Sequence, residues 1–448
     1  MNLDELVAEF EKKTPKTKHH YTVAATYLPG GVTGSGKFLK PYPLYIKEAH
    51  GCRLVDLDGN EYIDMLMGNG VNILGHGNAR IRQAVTEHLG APPFTFVSNE
   101  AELGFTKKIA GHVQSMEMVR LANTGSESVH MCVRAAMAYT GRQKIAKFEG
   151  HFHGSHETFL SSTVQVAGPA SAPQPTRGSA GIPDYALNSV VVLPFNNIDA
   201  SVELIERHSD ELAAVILEPV TGFMTGCVPA EPDFLLALRD VTRRNRIPLI
   251  YDEIVTGFRL ALGGAAEYFG VTPDLHTFGK VIGGGFPVGC YGGKKEIMSA
   301  VVTPTKEPSD IKEKIFQSGT FTGHPTTMVA GIAAITELEQ ADVLGPLNQA
   351  GEDIRTKITK IGETHGVPLQ VTGAGSMFYI HFCDDPVRNK RDAMRADKEK
   401  GVELSLRLLV NGVYWPPGHP ALLSAAHTRS DIEYVLDQID RAIAAMAT

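Results

Sequence analysis

From about residue 118 the chain settles into a regular alternation. Short apolar runs (MVRLAN, KIAKF, SVVVLPF, AAVILEP and IPLIYDE) are separated by stretches such as IDASVELIERHSDEL and EPDFLLALRDVTRRN, in which apolar residues recur every three or four positions. Continuous apolar strands joined by amphipathic helices predict a mostly parallel central sheet covered by helices on both faces, an α/β architecture. Upstream, residues 2–27 read as a helical arm, and NARIRQAVTEHL has helical spacing. Between them LYIKEAHGCRLVDLDGNEYIDM alternates apolar and polar residues around Asp58-Gly59-Asn60, which predicts a hairpin. Downstream the pattern predicts a long helix over 325–340. An α+β region follows, with a strand pair in LQVTGAGSMFYIHF and helices near 395–411 and 429–446. We expect residues 1–70 to form an N-terminal arm and part of a small domain, 71–329 a large domain, and 330–448 a C-terminal small α+β domain. No internal repeat is visible. Residues 167–183, AGPASAPQPTRGSAGIP, carry no periodicity, and a loop of that length inside a compact domain predicts a functional lid or a disordered segment.

Composition narrows the picture. With 448 residues and a 43% hydrophobic fraction the chain can bury a large core without staples. The formal charge of −8 argues against nucleic acid or an anionic membrane as the main partner. The five cysteines are scattered and form no C-x-x-C pair, which predicts neither a disulfide framework nor structural zinc. The acidic, amphipathic start MNLDELVAEFEKK has no signal-peptide features, and no apolar run is long enough to span a bilayer, so we expect a cytoplasmic protein.

In an open parallel sheet ligands bind beyond the carboxyl ends of the strands, so the residues that end each apolar run are the first candidates. AAVILEP ends in Glu218; IPLIYDEI places Asp252 at the end of its run; PDLHTFGK ends at Lys280, followed closely by three glycines; VRLANTGSES runs into a helix at Ser126. Each has a plainer reading: a solvated lysine, a strand-end acid capping a helix, a simple N-cap. Together they supply an amine for an imine, a carboxylate for a ring nitrogen and a helix N-terminus for a phosphate, which is the set that pyridoxal phosphate needs. A second candidate, GGVTGSGK at 30–37, imitates a nucleotide-binding loop. It lacks the hydroxyl after the lysine, where Phe38 stands, and Pro41 and Pro43 forbid the helix that must follow. His151, His153 and His156 suggest a metal, but no further ligand cluster accompanies them; loop and packing roles are expected, and no metal.

The motifs resemble those of class III, fold-type I, pyridoxal-phosphate aminotransferases. IYDEIVTGFR stands ahead of TFGKVIGGGFPVGCYGG at the family's spacing, and NTGSES, KFEGHFHG and GTFTGHP are similar to its phosphate cup, ring-stacking segment and G-T-x-x-G-x-P turn. Within the family the likeness is greatest to glutamate-1-semialdehyde aminomutase and related β-amino-acid aminotransferases, through LPGGV, PLYI and LLSAAHT. The resemblance covers almost the whole chain.

It implies a homodimer with shared active sites, small-molecule substrates (an amino donor and an oxo-acid acceptor), and a reaction that runs through a Lys280 aldimine and a pyridoxamine form. It implies that Lys280 holds the cofactor and shuttles protons, and that Asp252 pairs with the ring nitrogen. Gly125 and Ser126 would bind the phosphate, with Thr322 of a second subunit completing the cup. Phe152 and Ile254 would cover the two ring faces, and Glu218 would sit at the ring's edge. The chain departs from its relatives on the substrate side. Lys37 stands where the aminomutase has a carboxylate-binding arginine, Gly34 where the β-amino-acid enzymes have theirs, and Asn69 where the aminomutase has an aromatic. An ammonium cannot make the planar bidentate pair of a guanidinium. The carboxylate partner is therefore open among Lys37, Arg259 and Arg407. The reading that follows is an aminotransferase, with an aminomutase-like or racemase-like isomerase as the alternative.

Overall fold

The computed structural model describes residues 1–90, 94, 96–304 and 312–447. Its strands in chain order are β1 (Ile46–His50), β2 (Arg53–Asp56), β3 (Glu61–Asp64), β4 (Met118–Ala122), β5 (Lys144–Phe148), β6 (Val190–Leu193) and β7 (Leu212–Leu217), then β8 (Leu249–Glu253), β9 (Leu275–Gly279), β10 (Gly289–Gly293), β11 (Gln370–Ala374), β12 (Met377–His381), β13 (Val413–Tyr414) and β14 (Ala421–Leu422). Seven form the central sheet in the order β4-β10-β9-β8-β7-β5-β6. β10 is antiparallel to both neighbours; the β9-β8-β7-β5-β6 pairs are all parallel. A four-stranded sheet, β1-β2-β3-β13, joins the predicted hairpin to a C-terminal strand, and β11-β12-β14 form a third sheet.

The central strands are buried along their whole length: all six residues of β7 and all five of β8 and β9. That burial explains why they read as unbroken apolar runs. The covering helices follow their spacing. Ile198–Arg207 is capped by Asn197, whose side chain accepts from Ala200 N, and buries Ala200, Ser201, Leu204 and Ile205. Pro232–Arg244 begins with proline at a first-turn position, where the missing N–H costs nothing, and buries Phe234, Leu235, Leu238 and Val241.

Besides several short helices, two long ones escaped the pattern. Leu344–His365 buries Leu347, Gly351, Ile354, Ile358 and Gly362, so part of its inner stripe is glycine and the apolar period is masked. Glu100–His112 buries only Phe105 and Ile109. The N-terminal arm is two helices, Leu3–Lys13 and Pro15–Ala24, divided at Thr14 because Pro15 can start a helix but not continue one. Segment 167–183 forms no helix, yet it is a folded flap. Ser162 N donates to Thr176 O (2.9 Å), Gln174 N donates to Ala167 O (3.0 Å), and Ser161 bridges Arg177. Among the described residues no helix is long and apolar enough to cross a membrane.

At the carboxyl end of β5, Phe148, Phe195 and Phe234 pack edge to face with centroids 5.5–5.8 Å apart, and the His151 ring leans on Phe195 at 4.6 Å. Phe195→Ala should lower stability by about 3–5 kcal/mol and Phe195→Leu by about 1.5 kcal/mol or less. Thermal unfolding followed by circular dichroism checks this; equal midpoints for the two variants would mean the ring is not packed as described.

Candidate active site

Because β5, β7, β8 and β9 run in one direction, their carboxyl ends open on the same edge, and β4, paired antiparallel to the reversed β10, ends there too. A cavity of about 350 Å³ lies on that edge. Its walls include Asn69, Gly125, Ser126, Phe152, Glu218, Asp252, Ile254 and Lys280, so eight of the residues singled out in the sequence meet at one place.

Asp252 is 4% exposed and held from three directions. His153 Nδ1 lies 2.7 Å from its Oδ2; Thr277 Oγ1 and Ile254 N donate to its Oδ1 at 3.3 and 3.2 Å. A carboxylate only accepts, so Nδ1 carries the histidine proton and Nε2 is left as an acceptor. Burial pulls His153 below its ordinary pKa, and Asp252 opposes that pull. His153 was named in the sequence for a loop and packing role; its bond to Asp252 was not foreseen. The HFHG motif marks a loop, but nothing in it says which histidine turns toward a strand end ninety-nine positions away.

Glu218 is buried beside Asp252. Burial, then the repulsion of Asp252, raises its pKa to about 8, against the pull of two backbone donors, Phe152 N (2.8 Å) and Gly222 N (2.9 Å). Glu218 N donates to His151 Nδ1 (3.0 Å), so the second histidine is neutral and braces the same loop. Lys280 follows β9 in a left-handed conformation (φ 48°), strained for a residue with a side chain and retained where the surroundings over-determine it. Burial lowers its pKa to about 8, partly countered by Asp252 and Glu218.

Opposite the lysine, helix Gly125–Thr140 points its N-terminus into the cavity. Thr124 caps it by accepting from Glu127 N, and Ser128 N donates to Thr124 O, leaving the first amides, Gly125 and Ser126, aimed outward. A Cβ on Gly125 would stand 2.9 Å from Ile254 Cδ1, so only glycine lets the helix end approach the ring wall. An open helix N-terminus, a buried carboxylate at the far end and a lysine between them fit a phosphate-bearing heteroaromatic aldehyde.

The substrate side is different in character. Asn69 (φ 57°) stands between Gly68 and Gly70, also left-handed, in a tight turn that enters the cavity. Phe152 is 5.5 Å from Phe223, which stacks on His419 at 5.7 Å and 11°. The glycine loop comes up to this pair: a Cβ at Gly36 would stand 4.0 Å from His419 Nε2. Lys37 is exposed beside it and donates to Thr33 Oγ1 (2.9 Å). His419 was not among the sequence candidates, because only the fold brings 36, 223 and 419 together. The other named cations do not line the cavity. Arg259 is fully buried, and its guanidinium donates to Gly70 O (3.0 Å), Ser376 Oγ (3.0 Å) and Leu423 O (2.9 Å). Arg407 pairs with Glu403 and donates to Met1 O. Thr322 is also outside the lining; it sits next to Gly319, where a Cβ would come 2.9 Å from Asn123 Nδ2 on the rim.

The class-III aminotransferase family model matches residues 37–411. Glutamate-1-semialdehyde 2,1-aminomutase of Methanosarcina acetivorans is 39% identical over 424 residues, 94% of this chain and 97% of that protein. The crystal structure of an omega-transaminase from Sphaerobacter thermophilus superposes with a TM-score of 0.89 at 37% identity, covering 95% of this chain and 97% of that one. A transaminase with pyridoxal phosphate bound superposes at 0.87 and 27% identity, covering 97% and 99%. The family match, the fold-type I architecture and a cavity built for pyridoxal phosphate lead to one conclusion: the chain belongs to the class III pyridoxal-phosphate-dependent aminotransferase family.

Proposed function

We propose that this chain is an aminotransferase that moves an amino group from an α- or β-amino acid to an oxo acid. What carries transfer over isomerisation is the substrate side of the cavity. Among the described residues no arginine lines it, and Phe223, Phe286, Leu422 and Asn69 form its walls. The grip on a substrate carboxylate that the aminomutase pattern provides passes in this reading to the exposed Lys37, on the loop that approaches His419.

Pyridoxal phosphate, when bound, supplies an electron-withdrawing ring to which a substrate amine is joined. Each residue then has a task. Gly125 and Ser126 amides hold the phosphate at the helix N-terminus. Asp252, aimed by His153, Thr277 and Ile254 N, would hold the proton on the ring nitrogen. Phe152 and Ile254 confine the ring between them. Glu218, protonated near neutral pH, donates a hydrogen bond at the ring's edge. Lys280 Nζ, with its lowered pKa, is partly neutral near pH 8 and takes and returns the proton at the substrate carbon.

A homodimer belongs to the same proposal, with Thr322 of a second copy closing the phosphate end. It is supported by exposed apolar residues on two neighbouring segments, Phe96, Val97 and Leu103 on one and Phe316 and Phe321 on the other; the Phe94 ring meets that of Phe321 at 5.4 Å, tilted by 51°. A second reading, an aminomutase-like or racemase-like isomerase, is supported by the name of the Methanosarcina relative and by the folded flap 167–183, which suits an enzyme that retains its reactant.

Incubation of the holoenzyme with amino donor and no acceptor separates the two. Transfer predicts one equivalent of free oxo product per site and then arrest, relieved by 2-oxoglutarate or pyruvate. Catalytic rearrangement or racemisation without acceptor would falsify the transfer reading.

Asp252→Asn should retain cofactor but lose about 2–4 kcal/mol of transition-state stabilisation, two to three powers of ten in kcat. Near-parental turnover would place the ring-nitrogen partner elsewhere.

Glu218 makes a pH prediction for the cofactor-free protein. Its folded pKa, about 8, lies above the ordinary glutamate value of about 4.3. Between those values unfolding releases its proton, so its contribution to stability falls as pH rises. The melting temperature of Glu218→Gln should therefore gain on the parent from pH 5 to pH 8. Its lost backbone bond offsets the curve without changing that slope; parallel curves would refute the buried, protonated acid.

A further inference from the structure

The loop that carries Phe152 and His153 is held from behind by a residue far away in the chain. Glu149, 4% exposed, directly follows β5, three positions before Phe152. Its carboxylate receives a two-pronged bond from Arg391, Nε to Oε2 at 2.7 Å and Nη2 to Oε1 at 3.0 Å. The same guanidinium reaches the flap: Nη1 donates to Gly168 O and Nη2 to Ala167 O, both at 3.0 Å. Among the described residues, these are the hydrogen bonds that reach segment 160–183 from the C-terminal part of the chain. The flap in turn lies on the ring-stacking loop, since Gly150 N donates to Ser162 O (2.7 Å). At its root the buried Lys147 ammonium binds the carbonyls of His151 (2.9 Å), Phe159 (3.0 Å) and Ser161.

The short helix Lys390–Ala393 presses close at the same point. Gly150 (φ 79°) has no room for a side chain: a Cβ there would stand 2.6 Å from Lys390 Cβ and 2.5 Å from Thr225 Oγ1. Lys390 Nζ also donates to Met224 O, next to Phe223 on the substrate wall. One guanidinium thus fastens three pieces: the C-terminal segment, the flap and the loop that aims Phe152 and His153.

We propose that Arg391 is a positioning residue for the reaction: through Glu149 and the carbonyls of Ala167 and Gly168 it locks flap and ring-stacking loop into one body and so fixes the ring wall. Charge alone does not suffice. The planar fork satisfies both carboxylate oxygens and two carbonyls at once, which an ammonium cannot do in this geometry. The proposal rests on the reading of Phe152 as the ring-stacking side chain.

The test uses the holoenzyme with Arg391→Met and Arg391→Lys. Hydrogen exchange of peptides spanning 160–183 should speed up about tenfold or more in both variants. The visible circular dichroism of the bound cofactor should weaken, and kcat should fall about tenfold with little change in KM for the amino donor. Full rescue of exchange and spectrum by lysine overturns the fork geometry. Fast exchange with an unchanged cofactor spectrum and kcat overturns the positioning role, while the proposed function stands. Parental exchange in both variants overturns the lock itself. Failure of the proposed function would show independently, in the parent enzyme's product without acceptor.

Discussion

A carboxylate taken out of water must be matched by donors or by a cation, and the catalytic edge is organised around that demand at Asp252. His153, Thr277 and the backbone of Ile254 answer it on three sides. The fourth side is the cavity. Much else follows from this one buried charge. Glu218, crowded beside it, keeps its proton; Lys280 recovers part of the charge that burial takes from it; and the His151–His153 loop is pinned to the strand ends. These shifts lie in the directions expected of groups that exchange protons near neutral pH. They are produced by burial and neighbours rather than by any unusual residue.

A second constraint is the buried Arg259. A guanidinium with no exposed surface is tolerated only where acceptors surround it. Here the acceptors come from Gly70, Ser376 and Leu423, three segments that belong to the N-terminal hairpin region, the β11–β12 turn and the strand β14 region. The same segments supply Asn69 and Leu422 to the cavity wall. Arg259 therefore holds the backbone of segments that line the cavity. Arg391 does comparable work behind the loop that carries Phe152. Two arginines, one buried and one partly so, thereby tie the C-terminal part of the chain to the central sheet.

The family is shared with proteins of different activity, an aminomutase and transaminases among them. The cofactor half of the site is common chemistry. The proposed substrate half rests on Gly34, Lys37 and Asn69, where the resemblance implies other residues, and on the stacked Phe223 and His419. Fold and cofactor do not choose among the reactions that the family performs.

The sequence by itself determined the alternation of buried strands and amphipathic helices, because each strand of a covered sheet must be apolar on both faces and each helix on one. It also placed the candidate site residues: a lysine, an aspartate, a glutamate and a helix start all fall at strand ends, and a mostly parallel sheet gathers such ends on one edge. Short-range patterns carry that much because local sterics and periodicity act within a few residues. Tertiary structure alone decided the rest. β10 is a strand because both of its edges find partners, although GCYGG has little strand character. Helix Leu344–His365 forms with glycines on its buried stripe because close packing accepts them. His153, His419 and Arg391 gained their places from contacts spanning 99, 196 and 242 positions or so. Arg259 and Arg407, which by charge alone could have met a substrate, were claimed instead by carbonyls, a hydroxyl and a glutamate that no local pattern announces. Which partner a side chain finds across such distances depends on how the layers pack.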